Sequence, residues 1–359
     1  MIRGVNLGGW LALERWITPN LFEGIAAADE REFYEELGWQ QACDRLVRHR
    51  ESFIDEKDFA FIHEAGCSLI RLPVPYSVFG DVEGRLGCIE YVDRAFEWAE
   101  RYGLDILIDL HTVPGCANGL ENGGVCGLCT WHQDEKNVDV TLDVLERLAS
   151  RYAKSSALFG IEPVNEPASK AFLANAVRGY RGRYDDRLEK STAVPSTFLR
   201  DFYERAYRLL VPIMGEDRYV VLQDGFRLGE WDDVMPPAAY PAVMIDTHQY
   251  LNFARYELGE RNLCRNYFGF AWDRFAPALD AAAQHHPVLV GEWTLAHRPG
   301  DLNAMSSERA YRYWRAIAEV QQATFSECAG WVYFTYRVDD PDRPAWDFRN
   351  VVNAGWLSL

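Results

Sequence analysis

Two short runs each place a carboxylate just after an apolar stretch: Glu162-Pro163-Val164-Asn165-Glu166-Pro167 and Val288-Leu289-Val290-Gly291-Glu292-Trp293. In each, a glutamate follows an apolar β-type stretch, Leu158 to Val164 in the first and Val288 to Val290 in the second. Barrel enzymes place their chemistry at the carboxyl ends of parallel strands. Two carboxylates on different strand ends are what cleavage of a glycosidic bond needs, one to give a proton and one to act as nucleophile or base. The chain carries 54 Asp and Glu, so an arbitrary acid is a solvated surface group. Glu166 stands apart because Pro163 and Pro167 stiffen the chain around it and Asn165 adds a neutral amide beside it.

Other strand ends supply groups suited to such a site. Arg71 closes a second apolar run, and an arginine beside a carboxylate keeps it ionised by opposite charge. His111 follows the third run, His248 and Tyr250 the sixth, and the aromatic residues Tyr333, Phe334 and Tyr336 the last. A single histidine is usually structural; six strand ends converging on one mouth point to chemistry.

Strand-like and helix-like stretches alternate along the chain. The strand candidates are Ile2–Leu7, Ser68–Leu72, Ile106–Leu110, Leu158–Val164, Tyr219–Leu222, Val243–Asp246, Val288–Val290 and Trp331–Phe334. Amphipathic stretches Tyr91–Arg101, Val138–Tyr152, Phe198–Met214 and Ser307–Thr324 separate several of them. The pattern predicts one α/β domain over residues 1–359, a (β/α)8 TIM barrel with long loops after strands one, three, four and six. The fourth loop, rich in Gly, Arg and Tyr from Arg178 to Tyr184, is expected to form a mobile lip. No Gly-x-Gly-x-x-Gly or Gly-x-x-x-x-Gly-Lys-Ser/Thr run occurs, so nucleotide folds lose their signature.

Bulk chemistry narrows the partners. A net charge of −17 disfavours nucleic acid and anionic membrane surfaces and suits a neutral small molecule. Oligomeric state is left open. No charged leader or long apolar run is present in the sequence as given, which sets the expectation of a cytoplasmic enzyme with reduced thiols. Cys126-Gly127-Leu128-Cys129, with Cys116 nearby, leaves four readings open: a zinc site with His132, a redox pair, a disulfide, or thiols packing a loop. The second Cys-x-x-Cys of a structural zinc site is missing. His111 and His248 lie in no His-x-His or His-Glu-x-x-His spacing, so neither metal nor cofactor is expected.

Taken in order, these motifs resemble glycoside hydrolase family 5, and most closely its fungal exo-β-1,3-glucanase branch. The resemblance rests on Gly4-Val5-Asn6-Leu7-Gly8-Gly9-Trp10-Leu11-Ala12-Leu13-Glu14, Asp109-Leu110-His111, Asn118-Gly119, Asn122-Gly123-Gly124, Asn165-Glu166-Pro167, Asp246-Thr247-His248-Gln249-Tyr250 and Gly291-Glu292-Trp293. It implies Glu166 as acid/base and Glu292 as nucleophile, with Arg71, His111, Asn165, His248 and Tyr250 supporting them. Glu14 falls on the acid that binds hydroxyls of the terminal sugar, and Glu121 and Asn122 lie in a neighbouring loop. Phe253 falls on one of two entrance aromatics while Leu120 replaces the other, and Phe334 takes the place of a tryptophan under the sugar. The implied activity is retaining, exo-acting cleavage of small β-glucosides or β-gluco-oligosaccharides, with a β-mannoside as the alternative. Arg71 and Tyr250 are expected to hold Glu292 ionised, and that charge to keep Glu166 protonated.

Overall fold

In the computed structural model, which describes residues 1–359, eight parallel strands close into a barrel in sequence order. They are β1 (Ile2–Asn6), β2 (Leu69–Val74), β3 (Asp105–Leu110), β4 (Leu158–Glu162), β5 (Tyr219–Gln223), β6 (Val243–Gln249), β7 (Val288–Trp293) and β8 (Gly330–Tyr333). Every expected strand is present, and the differences lie at the ends. β4 stops at Glu162 because Pro163 has no N–H to give the ladder. β6 and β7 run on past their apolar parts, pairing His248 with Glu292 and Gln249 with Trp293. Polar residues extend a strand here because the barrel supplies partners for their side chains.

Side chains alternate along each strand, so a period of two sorts the barrel interior into layers. Leu69, Leu107, Val221, Met244, Leu289 and Val332 form an apolar plug. One step further toward the carboxyl ends, Arg71, Asp109, Gln223 and Asp246 form a polar layer, joined by Asn6 and Glu162, all of them shielded from solvent. The chemistry therefore stands on a packed floor. A second cluster of 81 residues fills the space between the strands and the surrounding helices. The helix Ile89–Tyr102 contributes Tyr91, Val92, Ala95, Phe96 and Ala99, a one-sided apolar stripe at helical spacing. Phe96 stacks on Tyr152 of the next helix, Glu135–Tyr152, at 3.9 Å between ring centroids. That helix starts at Asp134, whose side chain accepts the Lys136 N–H, and the helix Ser307–Thr324 starts at Ser306 in the same manner.

The long connections are folded rather than loose. The one after β1 holds helices Glu30–Leu37 and Trp39–Phe53 before Glu56–Glu64, and the one after β4 holds Lys170–Ala176 and Asp185–Leu188. Asp29 ties three of them together. Its carboxylate accepts the Glu32 N–H at 2.8 Å and the Cys126 N–H at 2.7 Å, and pairs with Arg187 at 3.2 Å. Arg183 also reaches Glu32, at 2.9 Å. The segment expected to form a lip is thus held by charge to the first loop.

Cys116, Cys126 and Cys129 are buried free thiols in this layer. Cys129 donates to the Ala117 carbonyl at 3.2 Å, and His132 turns to Thr192 Oγ1 at 2.9 Å. Of the readings left open, thiols packing a loop is the one this geometry supports. No helix is long and apolar enough to cross a membrane.

Candidate active site

The site grows from Arg71 on β2. Its Nε and Nη2 both donate to Glu162 at 2.8 Å, Nη1 donates to Asn6 Oδ1 at 3.0 Å and to Glu292 Oε1 at 2.8 Å, and Nη2 donates to Asn165 Oδ1 at 2.8 Å. Asp109 lies 3.1 Å from the same guanidinium. Arginine suits this position because its planar fork serves several carboxylates at once and stays charged when buried. One cation thus ties β2 to four other strands and orients Asn165, whose amide nitrogen is left buried without a partner.

Glu166 follows on the turn after β4, with a φ of +46°. Non-glycine residues seldom occupy that left-handed region, and here the bonds at the side chain's far end hold it. Glu166 Oε2 accepts from Asn122 Nδ2 at 3.0 Å, and Oε1 meets His248 Nδ1 at 2.8 Å. His248 Nε2 faces Asp246 Oδ2 at 3.1 Å, and Asp246 also takes the Gly291 N–H at 2.7 Å. Position 291 must be glycine, since a Cβ would sit 2.2 Å from Asp246 Oδ1. Glu292 completes the group. Its Oε2 accepts from the Tyr250 phenol at 2.6 Å and lies 3.4 Å from the same His248 nitrogen. Oxygens of the two glutamates and that nitrogen all lie within 4.8 Å of one another.

Protonation follows this bridge and departs from the expected order. Burial pushes Glu292 above its usual range, and the neighbouring Glu166 charge adds to the rise, while His248 and Arg71 oppose it without cancelling it. Burial would raise Glu166 as well, but the hydrogen bond and charge of His248, then Asn122, pull it below its usual range. His248, which burial alone would lower, is driven well above the ordinary imidazole range by Glu292 and Asp246. The expectation of an ionised Glu292 beside a protonated Glu166 overlooked an imidazolium seated between them. The bridge thus draws His248 toward its charged form and Glu166 toward its ionised one, across a single 2.8 Å contact.

One wall of the mouth is acidic. Glu14 is 3% exposed, takes the Trp16 indole N–H at 2.9 Å, and sits 3.9 Å from His111 Nε2. It pairs with neither Arg3 nor Arg15; the latter donates to the Ala27 carbonyl. Burial raises Glu14 to about 8, so it is mostly protonated at neutral pH, and nearby Glu121 to about 7, so it titrates there. His111 is fixed through Nδ1 to Asp109 at 2.5 Å. Glu14 Oε1, His111 Nε2 and Asn165 Nδ2 are three buried polar atoms without hydrogen-bond partners. Native interiors rarely leave such atoms unpaired, which marks this wall as a place for a polar ligand.

Aromatic rings form the rest. Phe253 stands at the rim, 54% exposed and 6.3 Å from Tyr250 between ring centroids. Phe334 is buried at the end of β8, 6.1 Å from Trp16. Trp346 lies 4.6 Å from Trp16 and 5.8 Å from Tyr250, so a loop residue supplies an indole beside the position where β8 offers only a phenyl ring. The contacts above link the twelve residues expected at the site, Glu121 only through its charge beside Glu14. Sequence reasoning missed Trp16 and Trp346, and did not assign Asp109, Glu162 and Asp246 as the inner charges. The last three had a signal in the period of two counted back from His111 and His248, and in Glu162 as an acid inside a strand. Trp346 had none, because its loop follows no pattern.

Two acid–histidine sets, Glu162–Asp246–His248 and Glu166–His248–Glu292, are close enough to surround a cation. Arg71 already fills that part among Glu162, Asp109 and Glu292, and both nitrogens of His248 face carboxylates.

Comparison with known proteins agrees with this geometry. The family model for cellulase (glycosyl hydrolase family 5) matches residues 35–336. Glucan 1,3-beta-glucosidase 1 of Schizosaccharomyces pombe is 33% identical over 99% of this chain and 87% of its own length. A probable glucan 1,3-beta-glucosidase A of Emericella nidulans is 32% identical over 99% of this chain and 89% of its own. In fold, the chain is similar to the rutinosidase from Aspergillus niger, with a TM-score of 0.77 at 21% identity, covering 99% of this chain and 97% of that one. The chain belongs to glycosyl hydrolase family 5 and is a glycoside hydrolase.

Proposed function

We propose that the protein is a retaining, exo-acting β-glycosidase that releases single sugars from small β-glucosides or β-gluco-oligosaccharides. The observation that carries this reading is the pair Glu166 and Glu292, bridged by one imidazole nitrogen, with one oxygen of each within 4.8 Å of the other. Retaining enzymes hold their carboxyl groups ~5–5.5 Å apart, against ~6.5–9.5 Å where a water must fit between them. The relatives named glucan 1,3-beta-glucosidase support a β-glucosidic substrate.

Glu292, held by Arg71 and Tyr250, attacks the anomeric carbon and forms a glycosyl ester. Its negative charge is the largest influence holding the proton on His248, so attack itself weakens that hold. The proton passes across the 2.8 Å bond to Glu166 and on to the departing oxygen. Glu166, ionised again, then takes a proton from water, which frees the sugar with net retention. Asn165 Nδ2 is free to bind a sugar hydroxyl close to the reacting carbon. Exo action is supported by the closed wall: Glu14 and His111 end the mouth on one side, with the loops knotted at Asp29 behind them.

The test is chemical rescue. Glu166→Ala and Glu292→Ala should each nearly abolish turnover of natural substrates. Azide should restore an α-glycosyl azide only with Glu292→Ala and a β-glycosyl azide only with Glu166→Ala. NMR of the first-formed anomer checks retention independently. Wild-type activity in either variant, or an inverted first product, would overturn the assignment.

A further inference from the structure

A second cavity of about 490 Å³ opens beside the mouth, between the loops that follow β6, β7 and β8. Phe253 and Trp346 belong to both spaces: they line this cavity, and both pack on Tyr250, whose phenol touches Glu292 at 2.6 Å. At one end Trp346 reaches back to Trp16, the partner of Glu14; at the other, exposed Phe253 marks the side open to solvent. Under the proposed reaction that open side receives the leaving group, and the inference rests on that reading.

Its lining is unusual for a chain with a net charge of −17. Arg255, Arg298 and Arg343 face Asp342 as the single acid of the lining. Arg343 is matched by Asp340 at 2.9 Å. Arg255 and Arg298 are exposed and join no ion pair; the side chain of Arg255 donates only to the Tyr256 phenol, and Arg298 offers only its carbonyl, to Asn262. Buried His297 adds no charge, because burial lowers it to about 4. Tyr256, Trp314 and Trp346 supply flat apolar faces between the cations. The volume falls in the ~300–1,000 Å³ range of small-molecule sites. Two unmatched guanidinium groups beside aromatic walls fit an aromatic ring that bears a carboxylate, which arginine binds through paired N–H groups.

We infer that this cavity is a leaving-group site that selects aromatic β-glucosides whose aglycone carries a carboxylate. It would confer a preference among aryl glucosides that the glutamate pair alone cannot.

The experiment compares a phenyl β-glucoside bearing a para carboxyethyl arm with the same glucoside capped as the amide. The arm is insulated from the phenol, so the two leave equally well and differ only in charge. The wild type should favour the acid by about tenfold in kcat/KM, mostly through KM, as befits a charge-assisted contact. The preference should shrink toward unity near ~1 M salt, where screening acts within ~3 Å. In Arg255→Gln/Arg298→Gln the ratio of acid to amide, measured within that enzyme, should fall to about one by the same reasoning. A third substrate, a β-glucosyl uronate, separates an aromatic acid from a sugar acid; preference for it over the aromatic acid would overturn the aromatic part. Equal rates for acid and amide in the wild type, or an unchanged ratio in the double variant, would overturn the inference while leaving the glycosidase reading intact. Failure to turn over any aryl β-glucoside would instead strike that reading. In that case calorimetry with the free hydroxyphenylpropionate and its amide still decides the pocket: acid-selective binding lost in the double variant supports it, and equal binding refutes it.

Discussion

Replacing Tyr250 by phenylalanine isolates one bond in the site. The ring keeps its packing against Phe253 and Trp346, and only the 2.6 Å contact from the phenol to Glu292 Oε2 is lost. The phenol is raised well above its ordinary range, by burial first and then by Glu292, so it remains a donor at every working pH. A hydrogen bond to a charged group is worth ~1.5–3 kcal/mol, which corresponds to roughly 1–2 pH units of added proton affinity at ~1.36 kcal/mol per unit. The sign is fixed by Glu292. Burial already places it above the ordinary 4.5, and it must be ionised to attack, so kcat/KM climbs as pH rises through that shifted value. Loss of the donor raises it further, and the acidic limb moves up by ~1–2 units. The basic limb belongs to the proton shared by His248 and Glu166, lies above the ordinary 6.5 of histidine, and should move little. The bell narrows from its acid side alone. The assay is kcat/KM for an aryl β-glucoside from acidic to alkaline pH in both enzymes. An acidic limb that stays in place would refute the view that Tyr250 sets the charge of Glu292.

Three further outcomes follow from the same geometry. Glu14→Ala should lower kcat/KM for short β-glucosides at neutral pH by ~0.5–1.5 kcal/mol, the scale of a lost hydrogen bond between a sugar hydroxyl and a neutral carboxyl, with product analysis showing the first internal cuts in longer chains. Glu14 also bears on stability: its carboxyl is raised to about 8 from 4.5, so the protection it gives is full below 4.5 and is lost as pH rises toward 8, and Glu14→Gln should flatten that fall in thermal melts. Gly291→Ala forces a methyl group against Asp246 and should destabilise by ~1–3 kcal/mol, lowering Tm and displacing the His248 bridge; an unchanged Tm and kcat would refute the packing argument.

How far the sequence carried these conclusions depended on which interactions are local. Apolar runs ending in Glu166, His248 and Glu292 are local features, and they located the strands, the barrel and the mouth. Strand ends were misjudged where a distant partner decided them: β6 continues past Asp246 through Gln249, pairing with the end of β7, because Asp246 takes the Gly291 N–H and His248 meets Glu166 from elsewhere in the barrel. The cysteine loop stayed open for the same reason, since its packing depends on Asp29 and Ser191 far along the chain.

Protonation was the least legible property. Charge signs and neighbours on paper placed the proton on Glu166, because Glu292 was expected to be negative and close. The outcome turned on where His248 points. With Asp246 at one nitrogen and Glu166 at the other, the imidazole is drawn toward its charged form and pulls Glu166 toward its ionised one. That orientation depends in turn on Gly291, whose missing side chain lets Asp246 stand close enough to grip the ring. A residue with no side-chain chemistry thus helps decide which carboxyl is charged, through a contact between strands that only the folded barrel creates.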